Sequence, residues 1–395
     1  MSRYTPGKML GIIGGGQLGR MLIPEARRLG LGVAVYSGSP DDPAVGSADH
    51  FMQGDLTSAD GIAEFARSCD YLTIEIEHVS LEGLQRAERS GCSVFPSSAS
   101  LGIVQDKLTQ RRCFTGLPQP RFTEIPPYPA DPGDEAGWRE QVVRAAEDFG
   151  FPVVQKTRRG GYDGRGVAVL RSRDDILSAD GALLCADSYL EAFVPLVKEL
   201  GVIAARSTSG ETAVFPVTEM RFDAATNICT SVAFPARVTA QAAAAAVATA
   251  REAAARLEVV GLLAVELFVA ENGEVLLNEV APRPHNSGHG TIEGLPTSQF
   301  GQHLRAGLGL PLGSMQPVIP TVMNNLLGAE QADGRPVIHG LQETLSIPGT
   351  QLHWYGKPQV RPGRKMGHLT VTADSLEKAL AHADKAAQLI RIESA

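Results

Sequence analysis

The sequence predicts a protein of mixed α/β and α+β class: a parallel α/β domain at the N-terminus, an α+β body after it, and a small β-rich C-terminal tail. Three observations carry this. Strand-like apolar runs alternate with helix-spaced segments over residues 9–95. A glycine-rich loop, residues 160–166, lies between two strand-like runs. Asn272-Gly273, the strongest short hairpin signal, joins two more. A length of 395 residues suggests two or three domains with ample core.

Residues 9–13 read as a short buried strand, and residues 21–29 as a helix that ends at Gly30. Residues 33–36 and 94–95 are further strands, and residues 65–76 hold a helix end and a strand. Residues 128–137, with Pro129, Pro132 and Gly133, read as a loop. Strands at 151–156 and 167–170 flank the glycine-rich loop. Residues 239–257 are alanine-rich and predict one long helix. Beyond Pro311 the chain looks β-rich and loop-rich, with a last helix at 375–390.

Hydrophobic residues make up 43% and charged residues 20%, the ordinary globular range. Net charge is −8 and the pI about 5.7, a poor match to a nucleic-acid backbone. Any bound phosphate should meet a few focused cations. Residues 1–8 lack the apolar core of a signal peptide, and no run suggests a membrane span. The five cysteines form no Cys-x-x-Cys pair, so reduced thiols in a cytoplasm are expected, without a zinc site.

Gly14-x-Gly16-x-x-Gly19 fits a dinucleotide fingerprint on pattern alone. Such a site also needs an acid at the end of the second strand, and here the first acid is Asp41. The reading that remains is a Rossmann-like domain whose loop meets another phosphorylated ligand, or simply a tight strand-to-helix turn.

The second loop is more informative. Gly160, Gly161, Gly164 and Gly166 place four glycines in seven residues around Tyr162, Asp163 and Arg165. Exposed backbone N–H groups there suit phosphate oxygens, and Lys156, at the end of the preceding strand, supplies a point charge. No Gly-Lys-Ser/Thr follows, so this is not a Walker A loop.

A two-residue turn centred on Asn272-Gly273 pairs Glu271 with Glu274 and carries the register back to Glu266 opposite Glu279. Their Cβ atoms would lie about 4.5–5.5 Å apart on one face. Like charges so placed need a positive group between them, and a hard divalent cation shared with phosphate oxygens fits. Neutralisation by an arginine, or protonation of one carboxyl, is the alternative. Strict alternation turns Asn278 to the other face. The following Arg283, His285, Asn286, Ser287 and His289 look like one wall of a polar substrate site.

Four strings now stand in order: Gly14-Gly15-Gly16-Gln17-Leu18-Gly19-Arg20; Gly160-Gly161-Tyr162-Asp163-Gly164-Arg165-Gly166; Asn278-Glu279-Val280-Ala281-Pro282-Arg283-Pro284-His285-Asn286-Ser287-Gly288-His289; and Arg361-Pro362-Gly363-Arg364-Lys365-Met366-Gly367-His368. Together they resemble the N5-carboxyaminoimidazole ribonucleotide synthetase family of ATP-grasp enzymes, over about residues 9–372. The resemblance implies an ATP-grasp fold with a Rossmann-like pre-ATP-grasp domain (1–105), a central lid domain (106–195), and a C-terminal ATP-grasp domain with a β-rich tail (196–395). It implies a homodimer that uses ATP and Mg2+ to carboxylate aminoimidazole ribonucleotide with bicarbonate.

By position, the resemblance puts Lys107 and Lys156 on the nucleotide phosphates and makes Gly161, Tyr162, Asp163, Gly164, Arg165, Gly166 and Val167 the lid. Glu191, Ala192, Phe193 and Val194 would line the adenine, and Glu199 would take the ribose hydroxyls. Asn278 and Glu279 complete the nucleotide set, and Glu266 and Glu279 would hold Mg2+. The substrate nucleotide would meet Gln17, Glu77, Tyr162, Asp163, Arg165, Asn286 and His289, with its phosphate against Lys357, Arg364 and Lys365. Asp163 is expected to orient or deprotonate the amine and Arg165 to stabilise the new carboxylate, with His289 the next proton carrier. Phe222 stands where relatives often have histidine. Other ATP-grasp enzymes, such as formate-dependent glycinamide ribonucleotide transformylase or biotin carboxylase, are the nearest alternatives. A dehydrogenase is the alternative from another class.

Overall fold

The computed structural model describes residues 4–160, 166–178 and 181–395. Among these the strands form four sheets. The first is parallel, in the order β3-β2-β1-β4-β5: β1 (Met9–Ile13), β2 (Gly32–Ser37), β3 (His50–Gln53), β4 (Tyr71–Ile74) and β5 (Ser93–Phe95). Leu10, Ile12 and Ile13 of β1 are fully buried, as a central parallel strand with both faces covered requires. The strand order reverses between β1 and β4, the place where doubly wound sheets open a crevice. The first helix starts at Gln17, four residues before its predicted start, because the chain turns directly from Gly16 into it.

The central sheet is antiparallel, β6-β9-β7-β8: β6 (Phe122–Glu124), β7 (Val153–Thr157), β8 (Val167–Leu170) and β9 (Ser188–Ala192). Its core, which includes Trp138, Val142, Val153 and Leu190, is its own. Helix Glu135–Phe149 covers it, so the predicted loop at 128–137 is helical from Glu135 on. The prolines and Gly133 that suggested a loop all precede that helix.

The large sheet runs β15-β14-β10-β12-β13-β16-β19-β18, with β11 beside β10. Its strands are β10 (Leu196–Arg206), β11 (Thr212–Val214), β12 (Thr218–Phe222), β13 (Cys229–Phe234), β14 (Gly261–Ala270), β15 (Val275–Ala281), β16 (Thr321–Leu327), β18 (Thr350–Trp354) and β19 (Lys365–Thr372). The β-rich tail completes this sheet. Three of its strands extend this sheet, and only β17 (Pro336–His339) and β20 (Arg391–Ser394) pair apart. The alanine-rich segment is one helix, Ala240–Arg256, capped by Thr239. Its small face (Ala246, Ala250, Ala253) lies fully buried against Val202, Leu263 and Leu277. A larger side chain there would overpack the contact.

The first and third sheets share a core. Phe300 and Leu304 of helix Gln299–Gly307 pack among Leu10, Leu22 and Phe95. His303 Nε2 lies 2.8 Å from Thr73 Oγ1, while its Nδ1 accepts from Leu262 N. Among the described residues no helix is long and apolar enough to cross a membrane.

Candidate functional site

Glu266 and Glu279 are opposed across β14 and β15. They reach that register by a different route from the one predicted. The turn is a three-residue loop: Ala270 N donates to Glu274 O, and Gly273 takes φ +82°. The register near the turn is thus one residue out. A β-bulge between Glu266 and Leu267, with Asn278 as the extra residue, restores it. The bulge also corrects the face of Asn278, whose Oδ1 accepts from Lys156 Nζ at 2.9 Å. Glu199 shares the glutamates' face, because Gly201, two residues on, is Glu266's partner on β10.

Lys107, which opens helix Lys107–Cys113, and Lys156 on β7 bring two cations to this region. Lys107 Nζ lies 2.6 Å from Glu279, and Lys156 Nζ 3.0 Å from Glu191. Burial opposes ionisation of Glu279, but Lys107 and Lys156 hold it below the usual carboxylate range. His285 Nε2 stands 3.3 Å from Glu266. Burial, then the charges of Glu266 and Glu279, push Glu199 up to about 7. A divalent cation would relieve that crowding. No group of three or more His, Cys, Asp or Glu side chains forms a metal site among the described residues. Mg2+ does not require one, since it binds through one or two carboxylates, phosphate oxygens and water. Glu266 and Glu279 fit that donor set.

Glu191 is more deeply committed than its predicted place beside an adenine suggests. It is buried and bound by Arg111 Nε at 2.5 Å, Lys156 and Tyr189 Oη at 2.7 Å. Burial alone would raise its pKa; Arg111 and Lys156 overcome this and bring it to about 2. Arg111 also donates to Leu277 O at 2.8 Å, tying the central sheet to β15. Sequence reasoning missed Arg111, whose partners lie far along the chain. Ala192 ends β9, Phe193 is exposed and Val194 half-buried beside it. Val167 opens β8 opposite Lys156, and Gly166 takes φ +75° against Thr157. Gly161, Tyr162, Asp163, Gly164 and Arg165 lie outside the described residues.

The N-terminal glycine turn is filled from within. Glu75, just past β4, accepts from Gly16 N and from Gly19 N at 2.9 Å. A Cβ on Gly14 or Gly16 would collide with this carboxylate. The donors that a dinucleotide would use are therefore occupied, which fits the missing strand-end acid. Gln17 stands half-buried at the helix start. Arg20 Nη1 would approach a Cβ on Gly356 to 3.1 Å, so this turn faces the β18–β19 loop. That loop carries Lys357, whose Nζ donates to Lys365 O at 2.7 Å, and Arg364, which donates to Gln359 O. Burial, then Arg361, lower the pKa of Arg364.

Glu77 meets Arg283 at 2.8 Å, a pairing across the first and third sheets. Asn286 exchanges two 2.8 Å amide hydrogen bonds with Asn325. His289 is buried, and burial, then His285, hold its pKa well below the usual imidazole range.

Three family models match: the ribonucleotide synthetase preATP-grasp domain at residues 7–105, the ATP-grasp domain at 134–300, and the phosphoribosylaminoimidazole carboxylase C-terminal domain at 321–382. The chain is 39% identical over 382 residues to N5-carboxyaminoimidazole ribonucleotide synthase of Synechococcus elongatus, covering 95% of this chain and 93% of that one. It is 40% identical over 375 residues to the chloroplastic phosphoribosylaminoimidazole carboxylase of Vigna aconitifolia, covering 93% of this chain but only 64% of that protein. Among solved structures, N5-carboxyaminoimidazole ribonucleotide synthetase of Thermotoga maritima superposes with a TM-score of 0.86 at 39% identity, covering 98% of this chain and all of that one (100%). The Aspergillus clavatus synthase in complex with ADP and 5-aminoimidazole ribonucleotide gives 0.86 at 32% identity, covering 97% and 98%.

Proposed function

This chain belongs to the N5-carboxyaminoimidazole ribonucleotide synthase family of ATP-grasp ligases, and from that premise we propose how its own residues divide the work. It is an ATP-dependent ligase of purine biosynthesis: it joins bicarbonate to the amine of 5-aminoimidazole ribonucleotide and forms ADP and phosphate. The observation that carries the site reading is the opposed pair Glu266 and Glu279, with Lys107 brought to it from helix Lys107–Cys113 and Lys156 from β7 of another sheet. The activity of the longer plant carboxylase beyond the matched 64% is not assigned to this chain.

Bicarbonate is a weak electrophile, and phosphorylation to carboxyphosphate activates it. Lys107 and Lys156 leave Glu279, Asn278 and Glu191 in part to meet the β- and γ-phosphates. Glu266 and Glu279 would hold Mg2+, which would supply charge neutralisation at those phosphates. Glu199 takes the ribose hydroxyls, and residues 191–194 flank the base. Residues 161–167 close over the anhydride and keep water out.

The substrate phosphate lies against Lys357, Arg364 and Lys365, and its imidazole between Gln17, Glu77, Tyr162, Asn286 and His289. Asp163 orients the amine as it attacks, and Arg165 receives the new carboxylate. We keep the domain bounds at 105/106 and 195/196; the change of sheet between β5 and β6 and between β9 and β10 supports three units. The homodimer rests on the family resemblance, and the cytoplasmic location on the five scattered cysteines.

Asp163→Asn is expected to leave ATP affinity within about twofold and to lower carboxylation about 100-fold or more. Nucleotide titration and turnover on the same preparation measure both. Normal turnover would remove Asp163 from the chemistry. The reading itself is tested with 13C-bicarbonate, ATP, Mg2+ and 5-aminoimidazole ribonucleotide. A carbamate carbon resonance bonded to the amine nitrogen is expected; its absence in the presence of ADP formation would contradict the acceptor.

A further inference from the structure

Behind the segment Asn286–Gly288 and His289 stands a column of three imidazole rings, of which the proposed reaction uses only the inner one. His353 on β18 is the register partner of His368 on β19. Their rings stack with centroids 4.4 Å apart and planes at 11°. His368 stacks in turn on His289, at 4.7 Å and 25°. Each ring is tethered. His353 Nε2 lies 2.7 Å from Glu293 Oε1, in helix Thr291–Gly294, and His368 Nδ1 lies 2.9 Å from Tyr355 Oη.

The inner tether fixes a tautomer. Gln299 Oε1 accepts from His285 N at 2.8 Å, and its Nε2 donates to His285 O at 2.8 Å, which sets the orientation of the amide. The same Nε2 is 2.9 Å from His289 Nδ1, so that ring nitrogen accepts. The neutral ring then carries its proton on Nε2.

We propose that Glu293 and His353 are positioning residues for the carboxylation, holding His289 through the stacked ring of His368 as a neutral Nε2–H donor. This rests on the substrate role proposed for His289. It makes His289 a hydrogen-bond donor, where the sequence suggested a proton carrier. Two buried polar atoms in the column, Glu293 Oε2 and His368 Nε2, have no hydrogen-bond partner among the described residues. Such atoms are costly, so apolar side chains would serve stability better there. Burial, together with neighbouring histidines that include His353, disfavours protonation of both His289 and His368.

Glu293→Ala and His353→Ala should each lower kcat with 5-aminoimidazole ribonucleotide about tenfold or more, with KM for ATP unchanged. The double variant should be no worse than the worse single one, because both act through one column. Glu293→Gln, which keeps an acceptor oxygen, should recover most of the loss. Imidazole 15N spectra should show His289 unprotonated at Nδ1 in the wild type and a tautomer mixture in the alanine variants.

Wild-type kcat in folded variants, additive losses, or a comparable rise in KM for ATP would overturn the proposal, as would an unchanged His289 signal. If the alanine variants do not fold, His353→Leu and Glu293→Met, which keep bulk and remove the tether, carry the same kinetic and spectroscopic comparison. A wild type inert toward 5-aminoimidazole ribonucleotide would overturn the functional reading instead, which keeps the two failures apart.

Discussion

Glu266→Gln is expected to lower ADP release about 100-fold or more at saturating ATP and to raise the Mg2+ concentration needed for half-maximal rate. The substitution preserves shape and removes one charge. Glu279 stays paired with Lys107, and His285 loses its carboxylate partner. The fold should persist, because Glu266 is only partly buried and neutral glutamine relieves the crowding that raises Glu199. A Mg2+ titration of the steady-state rate reads the effect. An unchanged Mg2+ requirement would contradict the metal assignment.

Arg111→Met is expected to cost about 3–5 kcal/mol of stability, the range for removing one member of a buried ion pair. Arg111 and Glu191 side chains are each 2% exposed. Without the guanidinium, Glu191 keeps only Lys156 and Tyr189, and Leu277 O loses its donor. Denaturant midpoints measure the loss, and adding Glu191→Gln should return part of it. The pH dependence has a definite sign. The folded pKa of Glu191, about 2, lies below its ordinary 4.5, so its contribution is full above about pH 4.5 and is lost as pH falls toward 2. Wild-type protein should lose stability through that window more steeply than the double variant.

The parallel N-terminal sheet, the alanine helix and the pairing of Glu266 with Glu279 were legible in the sequence because each rests on local pattern. The pairing came out right although the turn did not. A three-residue loop shifted the register by one and a bulge at Asn278 shifted it back. Bulges leave no reliable mark in a single strand, so Asn278 seemed to face away from Lys156. The β-rich tail was recognised as strands, but its union with the large sheet depends on pairing β16 with β13, where Ser231 meets Asn324 across a long stretch of intervening chain. Glu75 filling the glycine turn and Arg111 binding Glu191 were invisible for the same reason: both are long-range contacts of charged residues. What the resemblance added was chemistry, the bicarbonate and the amine, which no spacing reveals.

The most direct measurement is ADP release with bicarbonate and Mg2+ present, with and without 5-aminoimidazole ribonucleotide. The site built around Glu266, Glu279, Lys107 and Lys156 predicts release that rises steeply when the nucleotide is added and vanishes when ATP or Mg2+ is withheld. Activity that requires formate and glycinamide ribonucleotide, with none on bicarbonate and 5-aminoimidazole ribonucleotide, would contradict it.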